Sequence, residues 1–331
     1  MIGTRDCFLL LLAALTAGGA SAIAQETNYK APRTEAGQVD LRGVWNFNSN
    51  VPLERPSAFA DKKLFTREEM EKRKGAMEKA LQSIANFAPV EDVGLDWLDH
   101  TAHVEDLRTS LITYPDNGKL PALVEGVQRL PGPQEVITLL TNGEPPPPAF
   151  LASFGRGKRD GPEDFPPSER CLFAATVPLV PQLDGNYLQI LQAADHVVLL
   201  TDATLRIIPL NGRPHLPEPL RSWSGDARGH WEGDTLVVET RNFNNRTRSF
   251  AGAGRPLKKV VTERFARRSA NVLEYEATIM DAATFQDRIV LSFPMAKTDS
   301  RIYEEACHEH NYSLTHALSG ARAEERAATT K

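Results

Sequence analysis

Arg228-Gly229-His230-Trp231-Glu232-Gly233-Asp234-Thr235-Leu236-Val237-Val238-Glu239-Thr240 decides the fold class. Gly233-Asp234 is a tight-turn dipeptide between two strand-like runs. Side chains alternate across a strand, so Leu236, Val238 and Thr240 share one face and Val237, Glu239 and Arg241 the other. The stretch reads as a β-hairpin. Its first arm carries an imidazole, an indole and a carboxylate in succession. His230 and Glu232 share one face, and Trp231 takes the opposite one.

Similar runs fill the second half of the chain. They are expected as strands at 187–192, 196–201, 205–209, 227–231, 235–241, 259–267, 272–280, 288–293 and 301–308. Ala194-Asp195, Asn211-Gly212 and Ala270-Asn271 supply further turns. Many strands at this spacing predict a barrel or sandwich. Earlier in the chain, residues 40–47 read as a first strand with Gly43-Val44-Trp45, and a Gly-x-Trp opens many small-ligand barrels. The clearest helix follows. Thr66 caps it, Glu69 completes a capping box, and Met70, Met77, Leu81 and Ile84 recur at helical spacing. Residues 108–113 read as a strand, turned by Tyr114-Pro115-Asp116-Asn117-Gly118. Proline and glycine dominate residues 130–167, including prolines 145–148, which suits an extended wrapping connector.

The expected fold is a single mainly-β domain over residues 25–318. Its antiparallel part (169–318) is a barrel-like sheet of lipocalin or calycin type. An N-terminal helix and Pro-rich loops (25–168) wrap it, and a polar tail occupies 319–331.

The N-terminus predicts export. Arg5 precedes an apolar run at 8–17, then small residues and Ala22-Ile23-Ala24, the order of a signal peptide with an A-x-A cleavage site. That run is too short to span a membrane, and no later apolar run reaches the ~18 residues a span needs. A periplasmic or secreted protein with no integral membrane segment after cleavage is expected. Cys7 would leave with the signal. Cys171 and Cys307 then remain, and an even pair in an exported chain predicts a disulfide, two buried thiols being the alternative. A formal charge of −5, with 24% charged and 41% hydrophobic residues, is an ordinary globular profile. No basic face stands out, so no nucleic-acid partner is expected.

Two segments concentrate chemistry-bearing side chains. The first is the hairpin, with Asp226 and Arg228 just before its arm. The second is Arg301-Ile302-Tyr303-Glu304-Glu305-Ala306-Cys307-His308-Glu309-His310-Asn311. On a strand, His308 and His310 would sit ~7 Å apart on one face, a spacing that admits a shared metal. No third ligand is fixed by spacing, so the reading expects no metal and no cofactor. His215, between Pro214 and Pro217, is an imidazole on a stiff loop. Asp96, Asp99, His100, His103, Glu105 and Asp106 crowd around Trp97. There is no Gly-x-Ser-x-Gly, His-Glu-x-x-His, phosphate-binding glycine loop or dinucleotide fingerprint.

Several stretches resemble a large family of exported bacterial proteins. They are residues 40–45, 52–56, 108–112, Ser168-Glu169-Arg170-Cys171-Leu172, Asn211-Gly212-Arg213-Pro214-His215, the hairpin, Thr262-Glu263-Arg264-Phe265, and Ala306-Cys307-His308-Glu309 through Gly320-Ala321-Arg322-Ala323-Glu324-Glu325. The resemblance spans nearly the whole mature chain and implies no particular activity. Two departures stand out. Family members often carry a Glu and a His where this chain has Thr201-Asp202-Ala203-Thr204, and a Gly where it has His310.

The functional expectation is a periplasmic enzyme acting on an organic small molecule by acid–base chemistry: hydrolysis, elimination or isomerisation. His308 is expected as general base, His230 and Glu232 as acid or orienting pair, and Arg108 or Arg228 as anion or carbonyl stabiliser. Asp226, His215, Asn311 and the indoles of Trp45, Trp97 and Trp231 are expected to line the pocket. A non-catalytic small-molecule binder and an envelope interaction protein are the alternatives.

Overall fold

A computed structural model describes residues 29–87, 102–130, 159–165, 170–172, 177–182, 185–304, 306–309 and 311–329. Its strands are β1 (Gly43–Asn46), β2 (Ile112–Tyr114), β3 (Tyr187–Gln192), β4 (His196–Leu200), β5 (Leu205–Pro209), β6 (Asp226–Glu232), β7 (Thr235–Arg241), β8 (Val260–Arg267), β9 (Val272–Met280) and β10 (Ile289–Thr298). Two helices, α1 (Arg67–Phe87) and α2 (Tyr312–Thr329), accompany them.

All strands join one antiparallel sheet in the order β5-β4-β3-β1-β10-β9-β8-β7-β6, with β2 pairing the edge of β10 below β1. The hairpin forms as its sequence predicts. Glu232 pairs directly with Thr235, and Gly233 takes φ +58° in the two-residue turn. Leu236, Val238 and Thr240 are fully buried. The sheet curls until its two end strands lie side by side, but among the described residues no ladder joins β5 to β6. The antiparallel sheet is as expected, but it stays open, so the barrel-like closure of lipocalin or calycin type is not formed. Gly229 makes the approach possible. A Cβ there would meet Leu210 Cδ2 at 2.7 Å and Ile208 Cγ2 at 2.9 Å.

The inward face is packed with large side chains. Phe47, Phe293, Tyr275 and Phe265 form a continuous ring-to-ring chain with centroids 4.9–5.9 Å apart. Burial of such side chains stabilises the fold by roughly 1.5–3 kcal/mol each. Trp45 is completely buried, and its indole N–H donates to the Leu41 carbonyl at 2.9 Å.

The N-terminal region covers the outward face of β9 and β10. The capping box of α1 forms in both directions: Glu69 N–H donates to Thr66 Oγ1 (3.1 Å), and Thr66 N–H to Glu69 Oε2 (2.7 Å). Met70 is the buried contact of its first turn. Residues 114–118 turn as expected, with Gly118 N–H donating to the Pro115 carbonyl.

One expected strand is absent. Residues 301–304 make no ladder, and 307–309 form a turn. The chain instead stays in the sheet to Thr298, because β1 offers Val44, Trp45 and Asn46 as partners for Thr298, Lys297 and Ala296. It then leaves to reach Cys171, to which Cys307 is disulfide-bonded. The expected tail is the end of α2, which Arg322 anchors by donating to the Arg159 and Asp160 carbonyls. No helix among the described residues is long and apolar enough to cross a membrane. The expected signal segment, Trp97, His100, His310 and prolines 145–148 lie outside the described residues.

Candidate functional site

The expected site residues fall in separate places. His230 and Glu232 meet on the outward face of β6, Nε2 to Oε1 at 3.1 Å, and Arg264 donates to Glu232 Oε2 at 2.8 Å. The Arg264 and His230 contacts hold the Glu232 carboxyl below its ordinary range. The pair is open to solvent, with side chains 59% and 49% exposed. His308 is exposed in the turn beside the disulfide, and Asn311 Nδ2 lies 3.0 Å from Cys171 Sγ. No hydrogen bond among the described residues joins His308 to His230, Glu232 or Arg108. With residues 307–309 in a turn, the strand face expected to bring His308 and His310 together does not form.

Asp226, Arg228 and His215 do come together. His215 is held between two carboxylates, Nδ1 to Asp226 Oδ2 at 2.9 Å and Nε2 to Glu239 Oε1 at 3.1 Å. Arg228 donates to Asp226 Oδ1 at 2.6 Å and to the Pro214 carbonyl. Burial raises the Asp226 carboxyl, but the Leu216 N–H, His215 and Arg228 together hold it below its ordinary value. Both imidazole nitrogens are occupied, so this cluster clamps the 211–217 loop onto β6 and β7. Trp231 and Trp45 pack with the core, so neither offers an open indole face.

The interior holds a charge pair. Arg206 and Glu263 are 5% and 0% exposed and bonded through both carboxylate oxygens. Tyr275 OH donates to Glu263 Oε1 at 2.9 Å and accepts the Leu179 N–H at 2.9 Å. Burial pushes that phenol well above its ordinary pKa. Lys259 Nζ donates to the Val177 carbonyl and sits 4.0 Å from the Phe243 ring centre. Burial lowers its pKa to about 8, against the pull of Asp281 and Glu263. Val177 and Leu179, whose backbone meets Lys259 and Tyr275, are themselves buried.

Open volume lies elsewhere. A cleft of about 300 Å³ separates α1 from β10, lined by Asn48, Met70, His103, Asp106, Leu107 and Pro294, with Arg67, Glu71, Lys74 and Glu105 among its charged walls. Behind it runs a polar chain. Arg108 grips Asp106 through both carboxylate oxygens (2.6–3.0 Å) and donates to Ser292 Oγ at 3.0 Å. Ser292 Oγ donates to Glu274 Oε1 at 2.7 Å. Glu274 stands opposite Pro294 in the β9–β10 ladder. Burial raises its pKa, against the Ser292 hydrogen bond and the Arg108 charge, and its Oε2 has no protein partner. Of the residues singled out in the sequence, Arg108 and Asp106 belong to this chain, and His103 and Glu105 line the cleft beside it. Glu274 and Ser292 escaped sequence reasoning because the outward face of a strand reads as solvent-facing when the covering segment is distant in sequence. The available signal was Ser292-Phe293-Pro294, where a proline inside a strand marks an irregular, covered edge.

No group of three or more His, Cys, Asp or Glu side chains among the described residues is arranged to hold a metal ion. No family model, no curated protein and no solved structure matches this chain.

Proposed function

We propose that the protein is an exported enzyme that performs acid–base chemistry on an organic small molecule in the cleft between α1 and β10. The observation that carries the reading is Glu274: a buried carboxyl of raised pKa, one oxygen unpartnered, paired in the ladder with Pro294 of the cleft lining. A carboxyl whose pKa is raised by burial holds its proton more readily than an ordinary one, which suits a general acid. Asp106 supplies a second carboxyl on the cleft wall, and Arg108 fixes it relative to Ser292. Two carboxyls in unlike surroundings are the arrangement that acid and base roles require. The signal-like N-terminus and the Cys171–Cys307 disulfide support an oxidising compartment, periplasmic or extracellular.

The test is a crude pool of small metabolites incubated with purified protein and read by mass spectrometry. Depletion of a compound that persists in Glu274→Gln, while an Arg213→Ala surface variant still depletes it, is the expected result. Depletion unaffected by Glu274→Gln but lost in His308→Ala would move the centre to the C-terminal turn and refute the cleft. Stoichiometric recovery of an unchanged compound would make the protein a binder.

A further inference from the structure

We infer that the loop between β7 and β8, together with residues 216–222 before β6, forms a surface that docks on an anionic lipid bilayer. The sequence supplies the charge. Residues 242–259 carry Arg246, Arg248, Arg255, Lys258 and Lys259 and no Asp or Glu, a local excess that the overall charge of −5 conceals. Lys259 is buried, and the other four are exposed. Among the described residues no carboxylate is paired with Arg246, Arg248 or Arg255. Arg255 is held in place by donating to the Asn245 and Thr247 carbonyls. Partial burial and the charge of Arg255 both push the Arg248 guanidinium below its ordinary pKa, so like charges sit together here with no counter-charge between them. Such a local field draws in an anionic partner.

Apolar side chains decide which anionic partner fits. Leu216, Leu220 and Leu257 are 47%, 57% and 40% exposed. Residues 216–222 lie against the β7–β8 loop. Asn242 Nδ2 donates to the Leu216 carbonyl at 2.7 Å, and Arg221 Nη1 donates to the Phe243 and Leu257 carbonyls at 3.1 and 3.0 Å. Lys258 and Arg221 share the Glu218 carboxylate. The three leucines therefore stand among the cations. Met280, paired with Val260 on the same rim, is also exposed. A soluble acidic polymer would engage the cations and leave these leucines in water. A bilayer takes both: the basic heads reach the lipid phosphates, and the leucines enter the boundary of the acyl chains. Exposed apolar groups rimmed by charge are a feature of such contact surfaces. Glu274 lies about 20 Å along β9 from Met280, so docking here leaves the cleft clear, and the inference stands apart from the proposed reaction.

Co-sedimentation of the purified protein with lipid vesicles tests this. One set holds phosphatidylglycerol and phosphatidylcholine in equal parts, and the other phosphatidylcholine alone. The protein should sediment with the anionic set and not with the neutral one, and high salt should release it. Arg246→Gln/Arg248→Gln alters two exposed side chains and should weaken partitioning roughly 25-fold, about fivefold per cation. Leu220→Gln/Leu257→Gln should weaken it about tenfold. Urea midpoints equal to that of the wild type establish that each variant is folded. Equal binding to both vesicle sets, no binding to the anionic set, or unchanged partitioning in either folded variant would overturn the inference. Retention on heparin without vesicle binding would also overturn it, and would assign the surface to a soluble acidic polymer. The lipid and salt comparisons on the wild type decide the matter even if a variant fails to fold.

Discussion

Glu263→Gln isolates the energetics of the interior. The substitution preserves volume, so no cavity opens, and it still leaves an oxygen for the Tyr275 hydroxyl, which donates to Oε1 at 2.9 Å. It removes the only carboxylate bonded to Arg206 among the described residues, and that side chain is 5% exposed. A guanidinium is not deprotonated in a protein, so the charge stays buried beside an amide N–H₂. Stranding one member of a buried pair costs roughly 3–5 kcal/mol. At about 2 °C per kcal/mol for a domain of this size, the melting temperature should drop by roughly 6–10 °C. The Arg206→Met/Glu263→Gln double variant should recover most of that loss. It removes the stranded charge and gives up chiefly the Arg206–Thr240 hydrogen bond of 3.1 Å. Urea titrations of the wild type, both single variants and the double variant close the cycle. A loss below about 1 kcal/mol for Glu263→Gln, or a double variant as unstable as the two single losses added, would refute the argument.

Gly225→Ala should cost about 1–3 kcal/mol in urea unfolding, because residue 225 has φ +75° and a Cβ would lie 2.7 Å from the Arg241 carbonyl oxygen. Lys259→Met should stabilise the protein most below pH 8. The folded pKa of about 8 lies under the ordinary 10.5, so the unfolded chain binds the extra proton between those values and wild-type stability rises with pH across that window; the advantage of the variant, at most about 3 kcal/mol, should shrink over urea titrations from pH 8 to 10. Thiol titration of the denatured, unreduced mature protein should find no free thiol, and reduction of Cys171–Cys307 should lower stability by about 2–4 kcal/mol. Thr66→Ala should cost about 1 kcal/mol by removing the side-chain half of the α1 capping box.

Local chemistry was legible in the sequence, and long-range pairing was not. The Gly233-Asp234 hairpin, the Thr66/Glu69 box and the turn at 115–118 depend on residues a few positions apart, and each forms as read. The strand expected at 301–308 shows the limit. Its alternation suits a strand, yet an edge must be free to receive it, and β1 and β2 already occupy that side of β10. The site residues were harder for the same reason. His230, Glu232 and His308 lie in segments where such side chains cluster in sequence, whereas Glu274, Ser292 and Arg108 meet only after the N-terminal region folds over the outward face of β9 and β10.

β5 shows how misleading alternation becomes when charges pair across the interior. Leu205-Arg206-Ile207-Ile208 invites a reading with Arg206 outside. In the fold Arg206 is buried beside Ile208, while Leu205 and Ile207 are 59% and 61% exposed. The deciding partner is Glu263, which interrupts an otherwise apolar run, Val261 and Phe265, on the buried face of β8. One arginine and one glutamate, each on the apolar face of its strand, are the readable sign of such a pair. The same fact accounts for where the open volume lies. An interior that holds a paired Arg–Glu, a lysine on a loop carbonyl and a chain of four aromatic rings has little room left for a ligand. The cleft therefore forms outside the curl of the sheet, where α1 and residues 102–107 stand off from β10.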